Sequence, residues 1–124
     1  MITLIVDESY AFDYMAILEV KYKMDPDNKD KQANLTACKA HIREQVGIDL
    51  YNIIVHSDEY RECFNANKET FLAVDDAKKD KVKASYVDKC NYRRFQAKNK
   101  LQEKFFSDKI TEIKIGYELY EKDK

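Results

Sequence analysis

The stretch from Lys81 to Phe106, KVKASYVDKCNYRRFQAKNKLQEKFF, contains neither Gly nor Pro, and a run of that length without a breaker predicts one long helix. At about 100° per residue, Val87, Asn91, Arg94, Lys98, Leu101 and Phe105 share one face. A polar trio therefore interrupts the apolar stripe that should meet the core. An inward guanidinium and ammonium require anions opposite them, because a buried charge without a partner is strongly destabilising.

Two sources of negative charge stay open. Asp13 or Glu19 from the first helix and Glu69 or Asp76 from the third can close a structural ion-pair network. Alternatively the anion belongs to a ligand such as a phosphate or nucleotide. In that reading Arg94 and Lys98 hold the anion, Asn91 orients it, Tyr92 or Phe95 stacks on a base, and Asp13 or Glu69 reads a sugar or amine.

Composition sets the class. The chain has 2 Gly and 1 Pro in 124 residues, with 36% charged, which points to long helices joined by few turns and packed as a single domain, 1–124. The expected fold is mainly α: an antiparallel helical bundle of two hairpins with short N- and C-terminal β-strands. Charge is unevenly spread, since residues 1–76 carry 8 Lys and Arg against 15 Asp and Glu, and residues 77–124 carry 14 against 8. Such a chain can fold its basic half on its acidic half or pair head to tail with another copy. Between Ala77 and Lys100 nine basic residues stand against two acidic ones, a density that could track a phosphate backbone, although a solvated helix face explains it better. Nucleic acid is not the expected partner.

Ile2 to Val6 is a short β-branched run, best read as a strand or an extended arm. Asp7, Glu8 and Ser9 then offer an N-cap and an acidic first turn to a helix reaching about Met24. That helix is apolar on nearly every side, which suits a central element or one shared between subunits, and it places Asp13 on the face of Ile17, Val20 and Met24. Asp25-Pro26-Asp27-Asn28 is the clearest turn, and Lys29 to Val46 forms the second helix with Gly47 as its stop. Ile48 to Val55 reads equally as a strand or a buried helical turn. Ser57 opens a further helix with Tyr60, Cys63, Phe64, Phe71 and Val74 along one side, and AKKDKVK marks a bend or a surface stretch before the long helix. The tail ITEIKIGYELY alternates apolar and polar residues and reads as a strand, to be paired with the first strand or with those of a second subunit.

Several of these stretches together resemble an uncharacterised family of small bacterial and phage proteins, a domain of unknown function sometimes encountered near surface-polysaccharide genes. The similarity is carried by FDYMAILEVK at Phe12 to Lys21, KQANL at Lys31 to Leu35 and FNANKETFLAVDD at Phe64 to Asp76. It continues with VDKCNYRRFQAK at Val87 to Lys98 and ITEIK at Ile110 to Lys114. The shared polar positions are Asp13, Glu19, Lys21, Asn34, Glu69, Asp76, Asn91, Arg94, Lys98, Glu112 and Lys114. The chain departs from the family pattern at Lys68-Glu69, at Asn91-Tyr92 and at Leu72, where the family tends to place Trp. The resemblance implies a helical fold and carries no reaction, cofactor or partner.

No serine elbow, glycine-rich phosphate loop, Cys-His pair or zinc spacing is present, so neither a catalytic nucleophile nor a cofactor or metal is expected. Glu59 and Glu62 supply one of the two acidic pairs that hold magnesium in all-α nucleotide pyrophosphohydrolases. The second pair is missing, since Glu69 is followed three positions later by Leu72. Cys38, Cys63 and Cys90 look like buried thiols of a reducing cytoplasm, and neither a signal peptide nor a membrane span is evident. The expected function is a non-enzymatic protein that binds or sequesters a small anionic, nucleotide-like ligand, phage-borne and homo-oligomeric. The competing expectations are a helical module that docks on a host or partner protein, and the magnesium-dependent pyrophosphohydrolase.

Overall fold

A computed structural model describes residues 1, 2 and 4–106. Five helices follow one another: α1 (Glu8–Met24), α2 (Lys29–Val46), α3 (Ile48–Val55), α4 (Asp58–Lys78) and α5 (Ala84–Phe105). The protein is mainly α, and no strand occurs among the described residues. Ile2 and Leu4–Val6 are not a strand, which corrects the N-terminal expectation: β propensity alone cannot hold extended backbone where no second strand offers a ladder. The expected C-terminal strand at 110–119 lies outside the described residues.

Each boundary has a local cause. Asn28 caps α2, its Oδ1 accepting from the backbone N–H groups of Asp30 and Lys31 at 3.0 and 3.2 Å. Gly47 ends α2 and admits α3 at once, with φ 90° and ψ 146°, a region open essentially to glycine. The ambiguous Ile48–Val55 segment is therefore helical, its apolar side turned inward through Tyr51 and Ile54. Ser57 caps α4 by accepting from the Tyr60 N–H at 3.1 Å. At the other end of α4 the Asp80 N–H donates to the Ala77 carbonyl and the Lys81 N–H to the Asp76 carbonyl, while Asp80 itself sits at φ 58°. This pair of bonds is a Schellman stop, and it starts the long helix at Ala84, three residues later than the breaker-free run suggests.

α1 is the hub, packing against α2 on one side and the α4/α5 hairpin on the other. That position explains its nearly all-round apolar character. Phe12, Met15 and Ala16 are buried, and they join Leu35 and Ile42 of α2, Tyr51 and Ile54 of α3, Tyr60, Cys63 and Ala66 of α4, and Ala97 and Leu101 of α5; Val20 is buried as well. α4 and α5 run antiparallel with a constant register. Glu59 meets Lys104 at 3.1 Å, Glu62 meets Lys100 at 3.5 Å, and Glu69 meets Arg93. Three acidic side chains of α4 are thus met by basic side chains of α5.

Candidate functional site

The polar cluster forms where α1 crosses α4 and α5. Asp13, buried, accepts three hydrogen bonds from Arg94: Nε donates to Oδ1 and to Oδ2, each at 3.1 Å, and Nη2 donates to Oδ2 at 2.8 Å. This two-pronged geometry uses the planar fork of the guanidinium against a carboxylate. Asn67 of α4, fully buried, completes the set by donating Nδ2 to Asp13 Oδ1 at 2.9 Å and to the Cys63 carbonyl at 2.8 Å. Both acceptors demand a donor, so the orientation of the Asn67 amide is determined. Among the described residues its Oδ1 has no partner. What that oxygen lacks is a hydrogen-bond donor, so a water suits the position and an anion does not.

Lys98 lies one turn beyond Arg94, buried, with its ammonium 4.9 Å from the centroid of the Tyr10 ring and 5.6 Å from that of Phe95. Phe95 in turn stacks on Tyr92 at 6.3 Å and 26°. The aromatic faces stabilise the cation where water is largely excluded. Burial, with the Asp13 carboxylate adding to it, pushes the Cys63 thiol up to about 12, so this cysteine is a packing residue with no nucleophilic character. Burial also raises the Cys38 and Cys90 thiols.

The structure brings Asp13, Arg94, Lys98, Tyr92 and Phe95 into one region and sends the other expected residues elsewhere. Glu19 lies 3.6 Å from Lys39 and accepts a long hydrogen bond from the Tyr60 hydroxyl at 3.5 Å. Burial, and then Glu19, raise the Tyr60 hydroxyl well above its ordinary value. Glu69 pairs with Arg93, the neighbour of the arginine expected to meet it. Asp76 contributes its backbone carbonyl to the stop after α4. Asn91 is half-buried ahead of Arg94 and takes no part in the Asp13 network. Glu59 and Glu62, the acidic pair considered for magnesium, each face a lysine, and among the described residues no three His, Cys, Asp or Glu side chains are grouped to hold a metal ion.

Sequence reasoning missed Asn67 and Gln102. Asn67 follows Cys63 by four residues, which places both on one helical face, and that spacing was the available signal. Gln102 of α5 is almost fully buried. Its Oε1 accepts from the Ser9 backbone N–H at 2.8 Å and its Nε2 donates to Glu8 Oε1 at 3.2 Å. It caps α1 from a distance, because the Asp7 side chain makes no capping bond. Nothing local announces such a contact.

A second feature lies on the other side of α1. Two concavities of about 480 and 830 Å³ share Ala11, His41 and Ile42 and so form one groove over α1, α2 and α3. Tyr14, Leu18 and Cys38 line its first part, and Leu4–Val6, Val46, Leu50 and Phe106 its second, with polar groups such as Asn34, Gln45 and Glu8 among them. Among the described residues no helix is long and apolar enough to cross a membrane.

No family model, curated protein or solved structure matches this chain. The functional reading rests on the geometry.

Proposed function

We propose that the protein is a helical interaction module, with the groove over α1, α2 and α3 as its docking face and the buried polar cluster as the device that fixes how α1 crosses the α4/α5 hairpin. The observation that carries this reading is the Asp13–Arg94 pair. The charge that seemed to call for an external anion is matched inside the fold by three hydrogen bonds. The open concavity is apolar in its walls and lies away from that pair, which suits an apolar segment of a polypeptide.

A second reading keeps the cluster as a site for a small anionic, nucleotide-like ligand. It draws on the Arg94 side chain, which remains 31% exposed despite its pairing, and on the Tyr92–Phe95 stack beside it. A thermal-shift screen of the full chain against nucleoside phosphates, sugar nucleotides and inorganic phosphate separates the two. The module reading expects no shift, whereas a ligand at 100 times its dissociation constant would stabilise by about 2.7 kcal/mol. A shift of several degrees that disappears in Arg94→Lys would replace the first reading by the second.

A further inference from the structure

The groove has two straight helical walls. Ala11, Tyr14 and Leu18 line it from α1, and Cys38, His41 and Gln45 line it from α2, each set spaced by three and then four residues and so forming one stripe on its helix. With Asp7 one turn ahead of Ala11, the α1 stripe is about 16 Å long, which matches three turns of a further helix. Leu4, Ile5 and Tyr14 are more than half exposed, so the described residues leave these walls uncovered. Helical walls use their own backbone N–H and C=O groups and offer a guest side chains only. A guest in an apolar channel must then satisfy its own backbone, and a helix does so.

Charge selects among helices. At neutral pH the only formal charges among the described lining residues are the carboxylates of Asp7 and Glu8, side by side at one end of the groove, and no lysine or arginine lines either part. Glu8 accepts a hydrogen bond from the Gln102 amide at 3.2 Å, a neutral donor that leaves its charge in place. The N-terminus of α1 contributes about half a positive charge there, less than two carboxylates carry. We propose that the groove takes an amphipathic helix of a partner protein whose polar face carries lysine or arginine. Its apolar side chains, at i, i+3, i+4 and i+7, lie on the walls, and its basic residues lie over Asp7 and Glu8. An acidic helix would set like charges against these carboxylates, and a nucleic-acid backbone finds no cation in the groove. The inference rests on the module reading and names the chemistry of the partner.

The test titrates the full chain against three labelled synthetic peptides of about 15 residues. Each carries leucines at i, i+3, i+4 and i+7, and the polar face is lysine, glutamine or glutamate. Binding is read by fluorescence anisotropy at low salt, and helix formation by circular dichroism. The expected result is saturable binding of the lysine peptide with a gain in helical signal, at least about tenfold tighter than the glutamine peptide, with the glutamate peptide weakest. Asp7→Asn/Glu8→Gln removes both charges with little change of shape and should bring the lysine peptide to the level of the glutamine peptide. Raising the salt to ~0.5 M should remove the same advantage in the unaltered chain, which tests the charge without any substitution. Ala37→Gln, at an exposed helix position inside the groove, should weaken every peptide that binds. No binding of the lysine peptide overturns the proposal, as do equal affinities for the three, binding indifferent to Ala37→Gln, or a complex without a gain in helix. Equal affinities that Ala37→Gln still abolishes overturn the choice of partner and keep the module reading. Absence of binding by all three, together with a nucleotide-dependent thermal shift lost in Arg94→Lys, removes that reading as well.

Discussion

Asp13 and Arg94 are worth little to each other unless both are present. The carboxylate is buried on the central helix, and removing the guanidinium leaves it facing the core with only the Asn67 amide for compensation. A wholly buried pair broken this way costs about 3–5 kcal/mol. The partial exposure of Arg94 lowers the expectation for Arg94→Ala to roughly 2–3 kcal/mol. The double variant Asp13→Leu/Arg94→Met should recover most of that loss, since matched apolar replacements of a buried pair are often neutral or better. A double-mutant cycle in urea would measure it, and equal losses for the double variant and the sum of the singles would show that the two side chains do not act as a unit. Half of this cluster was legible in the sequence. The helical spacing of Arg94 and Lys98 exposed a charge on an inward face, and Asp13 was among the anions named for it. Choosing among Asp13, Glu19, Glu69 and Asp76 required knowing which face of α1 meets α5, and no local pattern encodes that.

At the scale of helices, the caps divide into those written beside the helix and those supplied from elsewhere. Asn28, Gly47 and Ser57 act through their immediate neighbours and were readable from the sequence as turn, stop and start signals. The start of α1 was read in the right place, with Asp7 at the N-cap and Glu8 in the first turn, but the capping bond to the Ser9 N–H comes from a side chain 93 positions away and not from Asp7. Gln102→Ala should therefore cost about 2 kcal/mol by stranding a buried donor. Gln96 on the same helix is only half-buried and should cost less on the same substitution. Asp80, at the left-handed position of the α4 stop, gives the opposite expectation. Asp80→Gly should stabilise by about 0.5–1 kcal/mol, seen as a higher melting temperature, because the strain of a side chain at positive φ is relieved. The inward stripe of α4 was read one step too greasy. Phe71 is only half-buried and Val74 is exposed, whereas Ala66, Thr70 and Ala73 face inward. Small residues let α4 and α5 approach closely, so packing geometry here overrides side-chain hydrophobicity.

For the whole molecule, part of the split charge of the sequence is met by antiparallel pairing of α4 with α5. The side chains of Glu62, Glu69, Arg93 and Lys100 remain between 38 and 63% exposed, so the pairs set register more than they add stability. Lys100→Glu should then cost less than about 1 kcal/mol, and raising the salt to ~1 M should lower the melting temperature only slightly, because screening removes contributions that are small to begin with. A collapse of the fold in high salt would mean that these pairs hold the hairpin together. By itself the sequence determined the helical class, the boundaries of α1 and α2 and the start of α4 to within a residue or two, an α1 suited to a central or a shared position, and the presence of charge on the inward face of α5. Those properties follow from periodicity, breakers and caps, which act over a few residues. Only the tertiary structure decided that Arg94 meets Asp13, that Gln102 caps α1, that Ile48–Val55 is a helix and that Leu4–Val6 lie along a groove over α1, α2 and α3. Each of those depends on which surfaces meet across tens of residues, and such meetings are chosen by the packing of the whole core.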